Sequence, residues 1–376
     1  MGNKIVEDVD IFSIAMDPIY IGTGGFTIGR VDNTIVRDPT TKIPKIPGSS
    51  VAGTWRYYVV LELQEKIKDK QPCFDDIKKD GNATLTGKIQ NTPWKNEVDL
   101  NDWHKFNGNK ISRISCAGQD DLPNLTREES ANNKKGHCGH CIVCKGFGFS
   151  KKDLSWQGML FFSDLTILYF PVYTRLGVKW ITSKSIYETV IENKKIKNSE
   201  NNSILTKEGN EKYLNLGWMN FKVSNSHSIE KVFPDSMKNI DTIISEENIV
   251  VVPDNLISQI INSNLEVRTS VSIDPITGAA KEKALFTSEA IPRGTIFYGK
   301  IRIFDRSAYN EVDEKITDLP SIEQLTTALE DSKHFYETLG IGGLTTRGFG
   351  RMKIINNFVN SVNSNNKNSG DGKNGK

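Results

Sequence analysis

The sequence predicts an α+β fold: strand-like runs recur along the chain, two segments carry helical spacing, and no regular βαβ alternation links them. The first strand lies between Ile5 and Pro18, where Ile11, Ser13 and Ala15 alternate with Phe12, Ile14 and Met16. Ile19-Tyr20-Ile21 then enters the glycine-rich Gly22-Thr23-Gly24-Gly25. A second glycine loop, Ile46-Pro47-Gly48-Ser49-Ser50, precedes a helix capped by Ser49 or Ser50. Its apolar positions Val51, Trp55, Tyr58, Val59 and Leu63 recur at helical spacing up to Ile67.

From about Lys68 to Lys135 the chain turns polar and loses periodicity. This is expected to be a long, partly ordered surface insertion that rejoins the core through a cysteine cluster. Strand signals return in Gly158–Asp164 and Ile167–Val172. A second polar stretch, about Ile191 to Asn210, separates these from Ile249–Val252 and Val267–Ile273. Thr295–Phe304 alternates well. Near Ser321 a helix begins with Leu325, Ala328, Leu329, Tyr336 and Leu339 on one face, and Gly340 follows its end. The glycine-rich Gly340–Gly350 leads into a last short strand, Arg351–Ile355. The tail Asn356–Lys376, mostly Asn, Ser, Gly and Lys, is expected to be disordered because it has too little apolar surface to bury.

With 376 residues, 37% of them hydrophobic and 25% charged, the chain can build a real core. Its 48 basic and 46 acidic residues give a net charge of +2, which neither demands nor excludes a nucleic acid, since a local basic groove can coexist with an acidic remainder. No apolar run approaches the ~18 residues of a membrane span. The N-terminus runs straight into Glu7, Asp8 and Asp10 instead of an apolar export segment. A cytoplasmic chain without a membrane partner is the expectation.

The strongest local motif is His137-Cys138-Gly139-His140-Cys141-Ile142-Val143-Cys144. Cys-x2-Cys-x2-Cys brings three thiolates close enough to share one tetrahedral ion, structural Zn²⁺ above all. Cys116 is the preferred fourth ligand, His137 and His140 are alternatives, and Cys73 is more distant. An iron–sulfur cluster, a redox dithiol and unmetallated buried thiols are the competing readings. A site closed by four protein ligands pins a loop and does not catalyse.

None of the three glycine loops has the Gly-x4-Gly-Lys-[Ser/Thr] pattern of a P-loop. Each permits close backbone approach to a ligand, and Ser49 and Ser50 sit where free N–H groups at a helix start favour phosphate. Arg30, Arg37 and Arg56 follow the first two loops, and Arg347 and Arg351 lie in and after the third. The planar guanidinium fork suits phosphate oxygens, although three ordinary turns with solvated charges account for the same text. Asp32, in Ile28-Gly29-Arg30-Val31-Asp32-Asn33, reads either as a turn residue or as a carboxylate that holds Mg²⁺ beside an RNA backbone. Asp38 before Pro39 is a turn candidate on the same grounds. Val271–Ala279, with Asp274-Pro275 and Thr277-Gly278 at its tip, reads as a hairpin whose second arm ends in Leu285-Phe286.

The order of these blocks resembles the RAMP superfamily, and within it the repeated backbone subunit of type III CRISPR effector complexes. The resemblance is carried by Gly22-Thr23-Gly24, Ile28–Pro39, Pro44–Ser50 and Gly53–Arg56. It continues in Cys138–Cys144 with Gly146-Phe147-Gly148, in Val271–Glu289 and in Gly342–Arg351. Gly158–Asp164, Phe170-Pro171-Val172 and Trp180-Ile181-Thr182 are most similar to the Cmr (III-B) backbone subunit, while Val31–Pro39 is equally similar to the Csm (III-A) one. Tyr20 and Ala52 depart from the family's frequent histidine and lysine.

The resemblance implies an RRM-like (ferredoxin-like) core. Its first part spans 1–67, an insertion with a zinc-binding element spans 68–150, and the remainder spans 151–355. The remainder includes a thumb hairpin at about 266–290 and the glycine-rich loop 340–350, with the tail at 356–376. The resemblance further implies binding of a CRISPR RNA guide and of complementary target RNA, and assembly with further copies of the chain and other complex subunits. It implies endoribonuclease action dependent on Mg²⁺ or Mn²⁺, with Asp32 as the catalytic residue. Lys45, Ser49, Ser50, Arg30, Arg37, Arg56, Arg268, Arg347 and Arg351 are the expected RNA contacts. The alternatives are a non-catalytic guide-binding scaffold, and a precursor-processing nuclease that would use a histidine. The scarcity of histidines beyond His104, His227 and His334 outside the cysteine cluster argues against the latter.

Overall fold

A computed structural model describes residues 5–24, 31–67, 102–105, 114–118, 136–139, 141–151, 154–190, 203–206, 211–225, 244–306 and 319–358. Arg30, Cys73, His140, most of the 68–135 insertion and the chain beyond 358 lie outside the described residues.

The first half contains strands β1 (Val6–Ala15) and β2 (Lys45–Ile46) and helices α1 (Gly48–Ile67), α2 (Asp102–Lys105) and α3 (Ile142–Phe147). Five strands follow: β3 (Phe149–Lys151), β4 (Leu154–Trp156), β5 (Leu160–Phe162), β6 (Leu165–Thr174) and β7 (Gly177–Ser183). Then come α4 (Lys184–Val190), β8 (Ser203–Thr206), β9 (Tyr213–Leu216), β10 (Met219–Asn225), β11 (Ile249–Val252) and α5 (Asp254–Ser263). The chain closes with β12 (Glu266–Ile273), β13 (Ala280–Ala290), β14 (Ile296–Phe304), α6 (Ile322–Ser332), α7 (Phe335–Thr338) and β15 (Met352–Ile354).

The fold is mixed α+β. Its main sheet has the order β15-β1-β14-β6-β7-β11-β8-β10-β9, with β2 beside β6 and β5 beside β14. β1 runs antiparallel to β14, from Val6 opposite Phe304 to Ile14 opposite Ile296. Successive β1 residues face opposite sides of the sheet, and both sides are covered. Val9 and Ile11 join the cluster around Trp55, whereas Phe12 and Ile14 join Tyr169 and Tyr187 of the other cluster. This double burial explains why Ile296, Phe297 and Tyr298 are all buried despite an alternating sequence.

Trp55 anchors α1. It is fully buried, its indole N–H reaches Ser332 Oγ at 3.2 Å, and its ring meets Tyr336 edge-on at 5.3 Å. Truncating a side chain of this size in a packed core costs about 3–5 kcal/mol. The α1 helix begins at Gly48, not at a serine cap: Asp164 Oδ1 accepts the Gly48 N–H at 2.8 Å. At the other predicted helix, Ser321 is the N-cap, and it forms a capping box with Gln324. That helix breaks at Lys333–His334 into α6 and α7, which leaves Leu339 exposed, off the core face.

Three segments depart from the sequence reading. Ser203–Thr206, inside the second polar stretch, is a buried strand. α5 was not anticipated, although Ile257, Ile260 and Ile261 recur at helical spacing and are buried. Asn356 and Phe358, assigned to the tail, are buried as well: Phe12 N–H donates to Asn356 Oδ1 at 2.9 Å, and Asn356 Nδ2 donates to the Asp10 carbonyl. Within the 68–135 insertion, Trp103 is buried and donates to Asp331 Oδ2 at 2.8 Å. Among the described residues, no helix is long and apolar enough to cross a membrane.

Candidate functional site: a glycine-loop face and a four-cysteine cluster

The three glycine loops are brought together by backbone pairing. Ile21 and Thr23 bond to Val36 and Thr34, and Val36 in turn accepts from Lys45, which leads into the second loop. The third loop docks on the first: Gly343 N–H donates to the Tyr20 carbonyl at 2.9 Å and Gly350 N–H to the Pro18 carbonyl at 2.9 Å. Gly342, at φ +85°, lies so close that a Cβ would sit 2.3 Å from the Tyr20 oxygen, so only glycine fits.

The β12–β13 hairpin joins the same face. Its register runs from Glu266 opposite Ala290 to Ile273 opposite Ala280, and Val267, Val271, Ile273, Ile276 and Leu285 are exposed along it. Its base pairs with the segment holding Asp32: Asn33 N–H donates to the Thr287 carbonyl at 3.0 Å, and Glu289 N–H donates to the Asn33 carbonyl at 3.0 Å. Asp32 is exposed, and its Oδ2 accepts from Thr287 N–H at 2.8 Å and from the Thr287 hydroxyl at 3.0 Å. These bonds hold its carboxyl below the ordinary range, so it is ionised at neutral pH.

The predicted arginines divide. Arg268, on the hairpin, donates to the Gly348 carbonyl at 3.1 Å, pairs with Glu266 at 2.6 Å and lies over the Phe349 ring. Arg351 grips Asp17 with bonds of 2.5 and 3.1 Å, and this hydrogen-bonded guanidinium holds the Asp17 carboxyl low. Arg268 and Arg293 add to the positive field at Asp17. Arg347 is exposed on the third loop. Arg37 is tied to Glu289 at 2.7 Å and to Asn262 at 2.8 Å. Lys45 is matched by Asp164 at 2.6 Å, which also takes the first N–H of α1. Ser49 is exposed and Ser50 half-buried on the opening turn of α1. Asp38 is a turn residue, its Oδ1 accepting from Thr40 and Thr41 N–H at 3.0 and 2.9 Å.

Arg56 is the correction. Its Nε donates to the Cys116 carbonyl at 2.6 Å, Nη1 to the Gly148 carbonyl at 2.7 Å, and Nη2 to His137 Nδ1 at 3.0 Å. All three nitrogens serve the cysteine region, so the side chain has an architectural role that the sequence did not announce. Arg56 sits on α1, which packs against the Ile114–Ala117 turn and α3.

Cys116, Cys138, Cys141 and Cys144 are buried, and their sulfurs all lie within 4.8 Å of one another. Cys138 and Cys144 Sγ are 3.8 Å apart, which matches the edge of a tetrahedron with metal–sulfur bonds of about 2.3 Å. Cys141 N–H points at Cys138 Sγ, 3.3 Å away, and Cys144 N–H at Cys141 Sγ, 3.5 Å away, contacts that favour thiolates. Hydrogen bonds from the neighbouring thiols push the Cys116 thiol down, while burial pushes Cys141 up. The donor set fits a four-thiolate ion such as Zn²⁺. His137 is taken by Arg56, and His140 lies outside the described residues.

Sequence reasoning missed Thr287 and Asp17. Neither carries a local motif, and each meets its partner across 255 and 334 positions of chain.

The RAMP superfamily model matches residues 15–353. The CRISPR system Cms endoribonuclease Csm3 of Methanothermobacter thermautotrophicus is 42% identical over 55 residues, which is 15% of this chain and 22% of that relative. The Csm3 of Enterococcus italicus is 42% identical over 55 residues, covering 14% of this chain and 24% of its own length. These matches span under a quarter of either curated relative. Among solved structures, a type III-B Cmr-beta bound to cognate target RNA aligns at TM-score 0.51 and 13% identity, over 95% of this chain and 98% of the other. Oligomeric Cmr4 from Pyrococcus furiosus aligns at TM-score 0.50 and 14% identity, over 93% and 98%. At such identities the structural likeness speaks for the fold. With a family match running from the end of β1 into β15, the chain belongs to the RAMP superfamily.

Proposed function

We propose that this chain is a guide-RNA-binding backbone subunit of a type III CRISPR complex that cleaves complementary RNA, with Asp32 as the catalytic carboxylate. One observation carries the reading: in a RAMP chain, an ionised, exposed carboxylate, the base of an exposed hairpin and an arginine-bearing glycine loop share one face. The relatives' names agree, since Csm3 is called an endoribonuclease and a Cmr-beta neighbour is bound to target RNA. The β12–β13 hairpin takes the part of the thumb, the main sheet that of the RRM-like core, and the four cysteines that of a structural zinc element. Guide RNA, target RNA, further copies of the chain and other complex subunits are its partners. Csm-type sequence and Cmr-type structural neighbours leave both subtypes in the reading.

A carboxylate held ionised at neutral pH cannot serve as a general acid there. Asp32 instead orients the ribose 2′-hydroxyl or holds a cation against the phosphate. The 2′-oxygen forms a bond to the adjacent phosphorus and gives up its proton to solvent. The bond from phosphorus to O5′ breaks, and O5′ takes a proton from solvent. A Mg²⁺ or Mn²⁺ held by Asp32 and phosphate oxygens would neutralise charge on the phosphate. Arg347, Ser49 and Ser50 offer the accessible backbone-binding groups, and the sequence read is set by base pairing.

The test is cleavage by complexes carrying Asp32→Asn or Arg347→Ala. Asp32→Asn is expected to bind guide and target normally and to cut at under about 1% of the wild-type rate, as for loss of a group central to chemistry. Arg347→Ala should lower guide affinity equally for all sequences and reduce the salt slope by about one. Wild-type cleavage by Asp32→Asn refutes the assignment. Absence of cleavage from the wild-type complex itself favours the scaffold reading.

A further inference from the structure

We infer that Thr287, on the hairpin, is the positioning residue that sets the orientation of Asp32. The inference rests on the catalytic reading of Asp32 and adds to it a residue on a distant element.

The geometry is a reciprocal clasp. Asp32 N–H donates to Thr287 Oγ1 at 3.1 Å, Thr287 Oγ1 donates to Asp32 Oδ2 at 3.0 Å, and Thr287 N–H donates to the same Oδ2 at 2.8 Å. One hydroxyl can do this because it offers one proton and two lone pairs. All of Thr287's bonds to the carboxylate fall on Oδ2, so Oδ1 is not used by the clasp. A carboxylate fixed through one oxygen has its other oxygen aimed, and an exposed aspartate without such a brace samples several rotamers.

Further bonds join the two segments beside the brace. Asn33 forms an isolated parallel bridge with Ser288 at the hairpin base, and its Nδ2 donates to Ser288 Oγ at 3.2 Å. Two residues further, Ile35 N–H reaches Glu289 Oε2 at 3.4 Å, and Arg37 closes on Glu289 Oε1 at 2.7 Å. The acid's segment is therefore tied to the hairpin at Ser288 and Glu289 as well as at Thr287. Only Ser or Thr at 287 supplies the hydroxyl, while Val would keep the volume and the backbone bond and lose the two side-chain bonds.

The experiment measures single-turnover cleavage of a complementary RNA by assembled complexes carrying Thr287→Val, Thr287→Ser or Asp32→Asn, with guide and target affinity determined in parallel. The inference expects Thr287→Val to slow the chemical step roughly ten- to a hundredfold, the worth of a charged hydrogen bond, at unchanged affinity. It also expects the acid limb of its pH–rate profile to move toward higher pH, and Thr287→Ser to recover most of the rate. If Thr287→Val cuts like wild type while Asp32→Asn is inactive, the inference fails and the catalytic reading stands. If Asp32→Asn also cuts like wild type, the catalytic reading fails. A Thr287→Val complex that loses guide binding together with cleavage marks the residue as merely structural and overturns the inference as well.

Discussion

Arg56 Nη2 lies 3.0 Å from His137 Nδ1, and because guanidinium can only donate, a neutral His137 carries its proton on Nε2. The other two nitrogens hold the carbonyls of Cys116, a member of the cysteine cluster, and of Gly148, which follows α3. One side chain on α1 thus staples three separate stretches of the cysteine region to the helix that packs beneath the sheet.

Replacing Arg56 by Lys should therefore destabilise the protein by about 2–4 kcal/mol, because a point-like ammonium cannot serve three acceptors and strands two of them. Thermal unfolding reads this directly. The salt dependence of guide binding should stay at its wild-type slope. Normal stability with a weakened salt slope would return Arg56 to the RNA.

About one zinc per chain should be found by elemental analysis of the purified protein. Cys116→Ser should lose that metal and lower the unfolding temperature, since it removes one of the four clustered sulfurs. Full zinc retention in Cys116→Ser would require another fourth ligand, with His140 the nearest candidate in sequence.

The Asp17–Arg351 pair gives stability a pH signature. The Asp17 carboxyl is held below its ordinary value of 3.8 by the Arg351 hydrogen bonds, so the unfolded chain binds its proton more readily than the folded one. The contribution is complete above the unfolded value and disappears as pH falls through the folded one. The difference in unfolding temperature between wild type and Asp17→Asn should be constant from neutral pH to about pH 5 and shrink below 3.8. Because the pair is partly solvated, the difference is small; one that grows on acidification would contradict the assignment.

Much of this molecule is written locally. β1, α1, β14 and the Ser321 cap announce themselves through spacing, and the cysteine motif names three of the four clustered sulfurs by itself. What escapes is decided between distant segments. Arg56 looks like a phosphate ligand in the sequence because a guanidinium next to a glycine loop suits an anion, and only tertiary packing reveals carbonyl partners 60 and 92 residues away. Thr287 is invisible for the same reason, as a hydroxyl in a strand has no signature until its acid arrives. α5 carried the right periodicity but was overshadowed by the β-rich text on both sides.

Past the end of β15, the Asn356 amide takes the Phe12 N–H and gives its own N–H to Asp10, imitating one more rung of the ladder. A sheet rim closed in this way offers no template at that point to a foreign strand. Crowded copies of the chain are thereby discouraged from zipping together along their backbones there, and a chain cut short before Asn356 would lose that protection first.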